Sequence, residues 1–137
     1  MLDLTASQES LVPVSVCVLT KDEQTNVAAC IEGLGFSDDI VILDSLSTDK
    51  TVEIARSYPN VRVFERPFDT EWKQRNYGLH EIQYKHPWVY ICDADEVVPE
   101  DLVEEMANVI AGREEHAAYR LRFRNMFNTG TASRATG

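Results

Sequence analysis

Four short, β-branched apolar runs, separated by segments of helical spacing, set the narrowest limit on what this chain can fold into. "VPVSVCVLT" (12–20) and "DIVILD" (39–44) are continuous enough for strands buried on both faces, and "PWVYICD" (87–93) reads the same way. "VRVFER" (61–66) is a further strand. Between them, "NVAACIEGL" (26–34) carries apolar residues at helical spacing and stops at glycine. "TDKTVEIARSY" (48–58) is a helix with Ser47, Thr48 and Asp49 available as N-caps, and Pro59 lies just past it. "EWKQRNYGLHEIQYK" (71–85) predicts a longer helix with Gly78 inside it. "PEDLVEEMANVIAG" (99–112) has proline and acids in its first turn and glycine at its end. "AAYRLRFRNMF" (117–127) alternates and predicts a fifth, more exposed strand. Strand and helix therefore alternate along the chain with short connections. That order predicts an α/β fold, with a mainly parallel sheet, right-handed crossovers and helices on both faces. One domain over 13–127 is expected, after a polar arm (1–12) and before a frayed tail of small polar residues (128–137).

Charge narrows the partners. Among 137 residues, 13 basic against 23 acidic side chains leave a net charge of -10, which disfavours nucleic acid, whose binding relies on a positive face. Discrete anionic small molecules stay open, since backbone amides, an arginine or a divalent cation can hold them locally. Cys17, Cys30 and Cys92 form no CxxC pair and read as buried free thiols of a reducing compartment. "MLDLTASQES" has neither the basic nor the apolar region of a signal peptide, and no run approaches the ~20 apolar residues of a membrane span. A soluble cytoplasmic domain is expected, and peripheral contact with a membrane surface is compatible with it.

In open α/β sheets, ligands bind beyond the carboxyl ends of the strands. Those ends read Thr20-Lys21-Asp22-Glu23, then Asp44-Ser45-Leu46-Ser47-Thr48-Asp49, then Glu65-Arg66 leading to Lys73, Gln74, Arg75 and Asn76, then Asp93-Ala94-Asp95-Glu96. All four fall on one edge and predict a single polar cleft. Like charges as close as Asp93, Asp95 and Glu96 repel, and their desolvation beside an apolar strand is costly. A D-x-D at a strand end suits a hard divalent cation completed by waters and substrate phosphates; a solvated loop supplying N-cap acids to the next helix is the other reading. Asp44 closing a buried strand suits recognition of a ribose hydroxyl or a base N–H, against a plain capping cluster for the helix that follows.

Four blocks, "VSVCVLTKDEQTNVAACIEGL", "DIVILDSLSTDKTVEIA", "WKQRNYGLH" and "VYICDADEVVPEDL", cover about residues 14 to 102 in order. In these the chain resembles the family 2 glycosyltransferases, whose donor-binding region is a Rossmann-like sheet, the GT-A fold. It is similar in particular to the bacterial lipopolysaccharide-core glucosyltransferase-like group, through "TKDE", "DSxSTD", "QRN" and "RNMF". The resemblance implies that Thr20, Asp22 and Glu23 line the nucleotide pocket and that Asp44 recognises base or ribose. It implies that Arg75 and Asn76 approach the nucleotide or diphosphate, that Asp93 contacts ribose or donor sugar, and that Asp95, with Asp93, holds the metal. Mg²⁺ or Mn²⁺ is the implied cofactor and a nucleotide-sugar, with UDP favoured, the implied donor. A saccharide or lipid-linked acceptor in cell-envelope synthesis, at the inner face of the membrane, is implied with it. Donor charge offset by a metal is the main electrostatic demand of sugar transfer.

The chain also departs from that pattern. The family's carboxylate base lies downstream of the D-x-D, and no Asp or Glu follows Glu115. Glu114 and Glu115 read as solvated surface, so the catalytic base is unassigned. The acceptor-binding half is not in the chain, which predicts a truncated protein with exposed strand faces prone to self-association. A non-catalytic sugar-nucleotide-binding module is the alternative function. A haloacid-dehalogenase-like phosphatase, with Asp93 as nucleophile and Asp95 as acid/base, would open with this strand and need further motifs after it. A nucleotidyltransferase would need a glycine-rich first loop where "TKDEQTN" stands. His80, His86 and His116 lack metal-ligand spacing. Trp72 and Trp88 read as packing residues, and Arg120, Arg122 and Arg124 as one face of a solvated edge strand.

Overall fold

The computed structural model describes residues 11–112, 118–119 and 126–128. Its elements are β1 (Ser15–Thr20), α1 (Val27–Glu32), β2 (Ile40–Asp44), α2 (Thr51–Arg56) and β3 (Val61–Glu65). They continue with α3 (Glu71–His80), β4 (Trp88–Asp93), α4 (Glu100–Ala111), β5 (Ala118–Tyr119) and β6 (Met126–Asn128). The sheet order is β3-β2-β1-β4-β6-β5. The first four strands in that order are parallel, as the alternation of strand and helix predicts. β6 pairs antiparallel with β4, and β5 antiparallel with β6.

The single fifth strand expected over 117–127 does not form. Ala118 faces Phe127 and Tyr119 faces Met126 across an antiparallel pair, so the run supplies two short strands. Period-two alternation is the same for one long strand and for two that face each other, which is why the pattern misleads. Glu114, Glu115, His116, Arg120, Arg122 and Arg124 lie outside the described residues. The third helix is also shorter than its pattern suggests. It ends at His80, after which Ile82 is buried and the Tyr84 hydroxyl donates to the Gly78 carbonyl at 2.6 Å. Apolar periodicity persists there because the chain doubles back onto the same face.

Each strand sorts its side chains by parity. Val16, Val18, Ile40, Ile42, Tyr90 and Cys92 pack with residues of α1, α2 and α4. Cys17, Val41, Leu43, Val89 and Ile91 point the other way, towards Tyr77 and Leu79 of α3 and the Ile82–Tyr84 turn. Helices therefore cover both faces. α3 comes so close that a Cβ at Gly78 would stand 3.2 Å from Cys17 Sγ. All three cysteines are buried free thiols. Trp88 is buried as expected, but Trp72, in the first turn of α3, is 70% exposed.

The amino end of the sheet is held by a charged clamp. Asp39, 7% exposed, accepts from Ser15 Oγ at 2.7 Å, from the Lys85 backbone N–H at 2.8 Å and from Arg62 at 3.0 Å. Burial pushes its carboxyl up, but these donors outweigh burial and the pKa is lowered. Beside it, hydrogen bonds from Lys85 and His86 bring Asp38 down to about 2. Both carboxyls thus bind protons less readily folded than unfolded, where they titrate near 4. Their stabilisation is complete above about pH 4 and is lost as pH falls through the lowered folded values. Thermal melts should show the protein weakening below about pH 4. Asp39→Asn should lower the melting temperature at pH 7 and flatten the acid limb; an unchanged acid limb in that variant would count against the clamp.

Candidate functional site

Parallel pairing sets four strand ends level. Thr20 is in register with Asp44, Asp44 with Glu65, and Leu19 with Asp93. The order runs outwards from β1 through β2 on one side and through β4 on the other, so the loops after β1, β2 and β4 meet at the switch point of the sheet.

The first two of these loops are laced together by side chains. The Asp22, Glu23 and Gln24 backbone N–H groups donate to Ser47 Oγ, Thr51 Oγ1 and Asp49 Oδ2 at 2.7, 2.7 and 3.2 Å. In return, the Thr48 and Lys50 N–H groups donate to Asp22 Oδ1 at 2.8 Å and Gln24 Oε1 at 3.0 Å. Lys21 Nζ reaches the Leu46 carbonyl at 3.1 Å. Asp22 and Leu46 both have left-handed backbone, with φ of 54° and 58°, a conformation costly for residues with a Cβ and held here by the lacing.

Asp44 is the knot. Fully buried, it accepts from Thr20 Oγ1 and Ser47 Oγ, each at 2.6 Å, and from the Ser47 N–H at 2.7 Å. Ser47 and Thr48 are thereby committed to the loops. α2 starts later than its capping residues suggest, at Thr51, whose N–H and hydroxyl both donate to Asp49.

Against this scaffold, Lys21, Glu23, Glu71, Asp93 and Asp95 line a cleft of about 260 Å³, with Thr20, Ser45 and Gln74 also in its wall. Phe68, 57% exposed, stands at its side. Carboxylates outnumber cations there. Arg75 is half-buried and already bonded through Nε to Glu71 at 3.2 Å. Burial raises the Asp93 carboxyl; Arg75 opposes this, while Glu71, Asp95 and Glu23 push it further up. Burial also raises Glu96, with Asp93 and Asp95 adding to it. Glu96 Oε1 is buried without a partner.

The structure thus brings Thr20, Glu23, Asp93 and Asp95 to one cleft, with Arg75 near enough to act on Asp93. Asp22 and Asp44 lie behind it, in the lacing. Asn76 does not join them: it lines a separate groove on the outer side of α3, with Arg66, Trp72, Lys73 and Tyr77. Ser45 and Gln74 stand in the strand-end lists, and Gln74 also in the "QRN" motif, but none of Glu71, Gln74 and Ser45 was given a role of its own. A signal for two of them exists, since Glu71, Gln74 and Gly78 recur at i, i+3 and i+7, the spacing of one helix face.

Among the described residues, no three His, Cys, Asp or Glu side chains come together as a self-sufficient metal cage. The donor set nonetheless suits Mg²⁺ or Mn²⁺, hard ions held by one or two carboxylates plus substrate phosphate and water. The mutual repulsion of Asp93 and Asp95, to which Glu96 in the neighbouring wall adds through its own raised carboxyl, is what a cation there would relieve.

The sequence from residue 15 to residue 136 matches the model of glycosyl transferase family 2. The chain belongs to that family. It is 30% identical over 113 residues to the lipopolysaccharide core biosynthesis glycosyltransferase LpsC of Rhizobium meliloti, an alignment covering 80% of this chain and 41% of that protein. An uncharacterized glycosyltransferase of Rickettsia typhi is 27% identical over 88% of this chain and 41% of its own length. The family 2 chain thus spans about two fifths of these relatives. Among solved structures, it superposes on Staphylococcus aureus TarS 1-349 with a TM-score of 0.68 at 15% identity, over 91% of this chain and 49% of that one. Glucosyl-3-phosphoglycerate synthase of Mycobacterium tuberculosis, in complex with Mn²⁺, UDP and glucosyl-3-phosphoglycerate, gives 0.54 at 21% identity, over 76% of this chain and 42% of that one. These neighbours establish the GT-A fold of a family 2 glycosyltransferase domain.

Proposed function

We propose that this domain binds a nucleotide-diphospho-sugar, a UDP-sugar first among them, and presents its sugar for transfer to a saccharide or lipid-linked acceptor. The observation that carries the reading is the convergence of four loops on one carboxylate-rich cleft at the switch point of the sheet. In this reading Asp95 and Asp93 hold the divalent cation. Bound there, Mg²⁺ or Mn²⁺ would supply positive charge against the diphosphate that leaves as the sugar departs. Thr20 and Glu23 line the nucleotide pocket. Asp22 and Asp44 keep its two loops in place, Asp44 lying directly beneath the surface that meets base or ribose. Arg75 faces the diphosphate and, paired with Glu71, is poised between protein and ligand carboxyl or phosphoryl oxygens. Asn76, in the groove on the outer side of α3, meets the nucleotide only if α3 turns.

The acceptor side is reasoned from the Rhizobium meliloti relative, whose name places it in lipopolysaccharide core biosynthesis. We place this domain in envelope polysaccharide synthesis, on the cytoplasmic face of a membrane. Among the described residues no helix is long and apolar enough to cross one. Large apolar side chains at Leu46, Phe68, Trp72 and Val97 are exposed, and each follows the carboxyl end of a strand. That edge therefore favours cover by a membrane surface, a second copy or an acceptor domain.

Calorimetric titration with UDP, with and without Mn²⁺, tests the donor half. Binding that requires the metal is the expected result. No heat in a sample with the circular dichroism of a folded α/β domain would sink the reading. Binding without release of sugar from UDP-glucose to added acceptors would favour the donor-binding module over the transferase.

A further inference from the structure

Gln74 is buried, at 2% exposure, and sits in the wall of the acidic cleft. Its amide has two different ends, and its neighbours decide which way each end faces. Arg66 Nη1 lies 2.8 Å from one of them. A guanidinium can only donate, so that end is the amide oxygen. The other end is therefore NH₂, and it lies 3.0 Å from Ser45 Oγ. Ser45 Oγ must accept. A hydroxyl that accepts from an amide keeps its single hydrogen to give elsewhere, and among the described residues it gives that hydrogen to no protein acceptor. Ser45 cannot turn freely to find one. It follows the last residue of β2, is 6% exposed, and its backbone N–H is fixed on the Thr20 carbonyl at 3.0 Å. Its remaining outlet is the cleft, which it lines with Gln74. Donors are scarce there: Lys21 and Arg75 already bond to the Leu46 carbonyl and to Glu71.

We infer that Gln74 is a positioning residue that sets the Ser45 hydroxyl as a hydrogen-bond donor to an acceptor oxygen of the bound nucleoside diphosphate. The inference rests on the donor-binding reading above. The polarity runs one way along the relay, from Arg66 through the Gln74 amide to Ser45 and the ligand. Reversing the middle member reverses the end. The carboxylate introduced by Gln74→Glu has the same shape and keeps Arg66, but it can only accept. It takes the Ser45 hydrogen for itself and leaves the ligand oxygen facing lone pairs.

The test is UDP affinity, in the presence of Mn²⁺, for the full chain, Ser45→Ala, Gln74→Glu and the double variant. Each single change should weaken UDP about tenfold, the loss of one hydrogen bond to ligand. The double variant should be little weaker than Ser45→Ala, because Gln74 acts only through the hydroxyl. A cleft-wide effect of the new charge, or a loosening of the fold, would instead add to the loss of the hydroxyl, and additive losses overturn the inference. Unchanged UDP affinity in Ser45→Ala overturns it as well, and that variant decides alone if Gln74→Glu does not fold. A penalty shared by UMP and UDP places the acceptor on base or ribose or the inner phosphate; one confined to UDP places it on the outer phosphate. If the unaltered chain binds no UDP, the donor reading has failed and the inference falls with it, an outcome distinct from additivity.

Discussion

Asp95→Asn is expected to weaken Mn²⁺-dependent UDP binding by about a hundredfold, at least the upper end of what loss of an outer partner of a metal site costs. The substitution keeps the size of the side chain and removes one of the two carboxylates that would hold the ion in the proposed site. Asp95 is solvent-exposed and, among the described residues, accepts no protein hydrogen bond, so the fold loses little. Without metal the change works in the other direction. Asp95 raises the carboxyls of Asp93 and Glu96, and its removal relieves that repulsion. The melting temperature of the metal-free protein should therefore hold or rise slightly while affinity collapses. Calorimetry and a thermal melt on the same sample check both halves. Equal UDP affinity in variant and parent would remove Asp95 from the metal site.

Asp44→Ala should do the reverse and damage the fold first. The carboxylate is fully buried and holds two hydroxyls and one backbone N–H. Truncation strands all three donors away from water and leaves a small void. Buried groups that lose such partners cost about 1–3 kcal/mol each, and some recover by rotating, so a total near 3 kcal/mol is expected. For a domain of this length that lowers the melting temperature by roughly 10 °C. Leu46 and Asp22, held in left-handed backbone by the same lacing, lose their support with it. Urea unfolding measures the loss directly. A variant as stable as the parent would mean that the loops do not depend on this carboxylate.

These two aspartates also mark how far the sequence could be read. The parallel strands announced themselves, because a run such as "VSVCVLT" leaves a buried strand as its simplest home. Carboxyl-end loops then followed from topology, and Asp93 and Asp95 were found where the strand ended. The part played by Asp44 inside the loops was not legible, since an aspartate after a buried strand looks alike whether it faces a ligand or ties a knot. The hydrogen bonds from Thr20 and Ser47 show the knot, and contact with base or ribose stays a proposal. The burial of Gln74 in the cleft wall was hidden for a similar reason. Its neighbours Arg75 and Asn76 carry more conspicuous chemistry, yet the helix turns Gln74 inwards, and Asn76 outwards. The hairpin of β5 and β6 escaped because alternation carries no information about where a chain reverses.

The lacing of the first two loops bears on how the protein comes to be folded. Asp22 meets Thr48, Glu23 meets Thr51 and Gln24 meets Lys50, each pair some 25 residues or more apart in sequence. Closing such a distance costs entropy that no local helix or turn repays in advance. The contacts become worth making only after β1 and β2 have paired and brought the loops side by side. The cleft is therefore absent from any partly collapsed chain and arrives with the sheet. A nucleotide that binds it binds the native state alone, which by mass action makes the ligand a measure of how much of the population has completed its sheet.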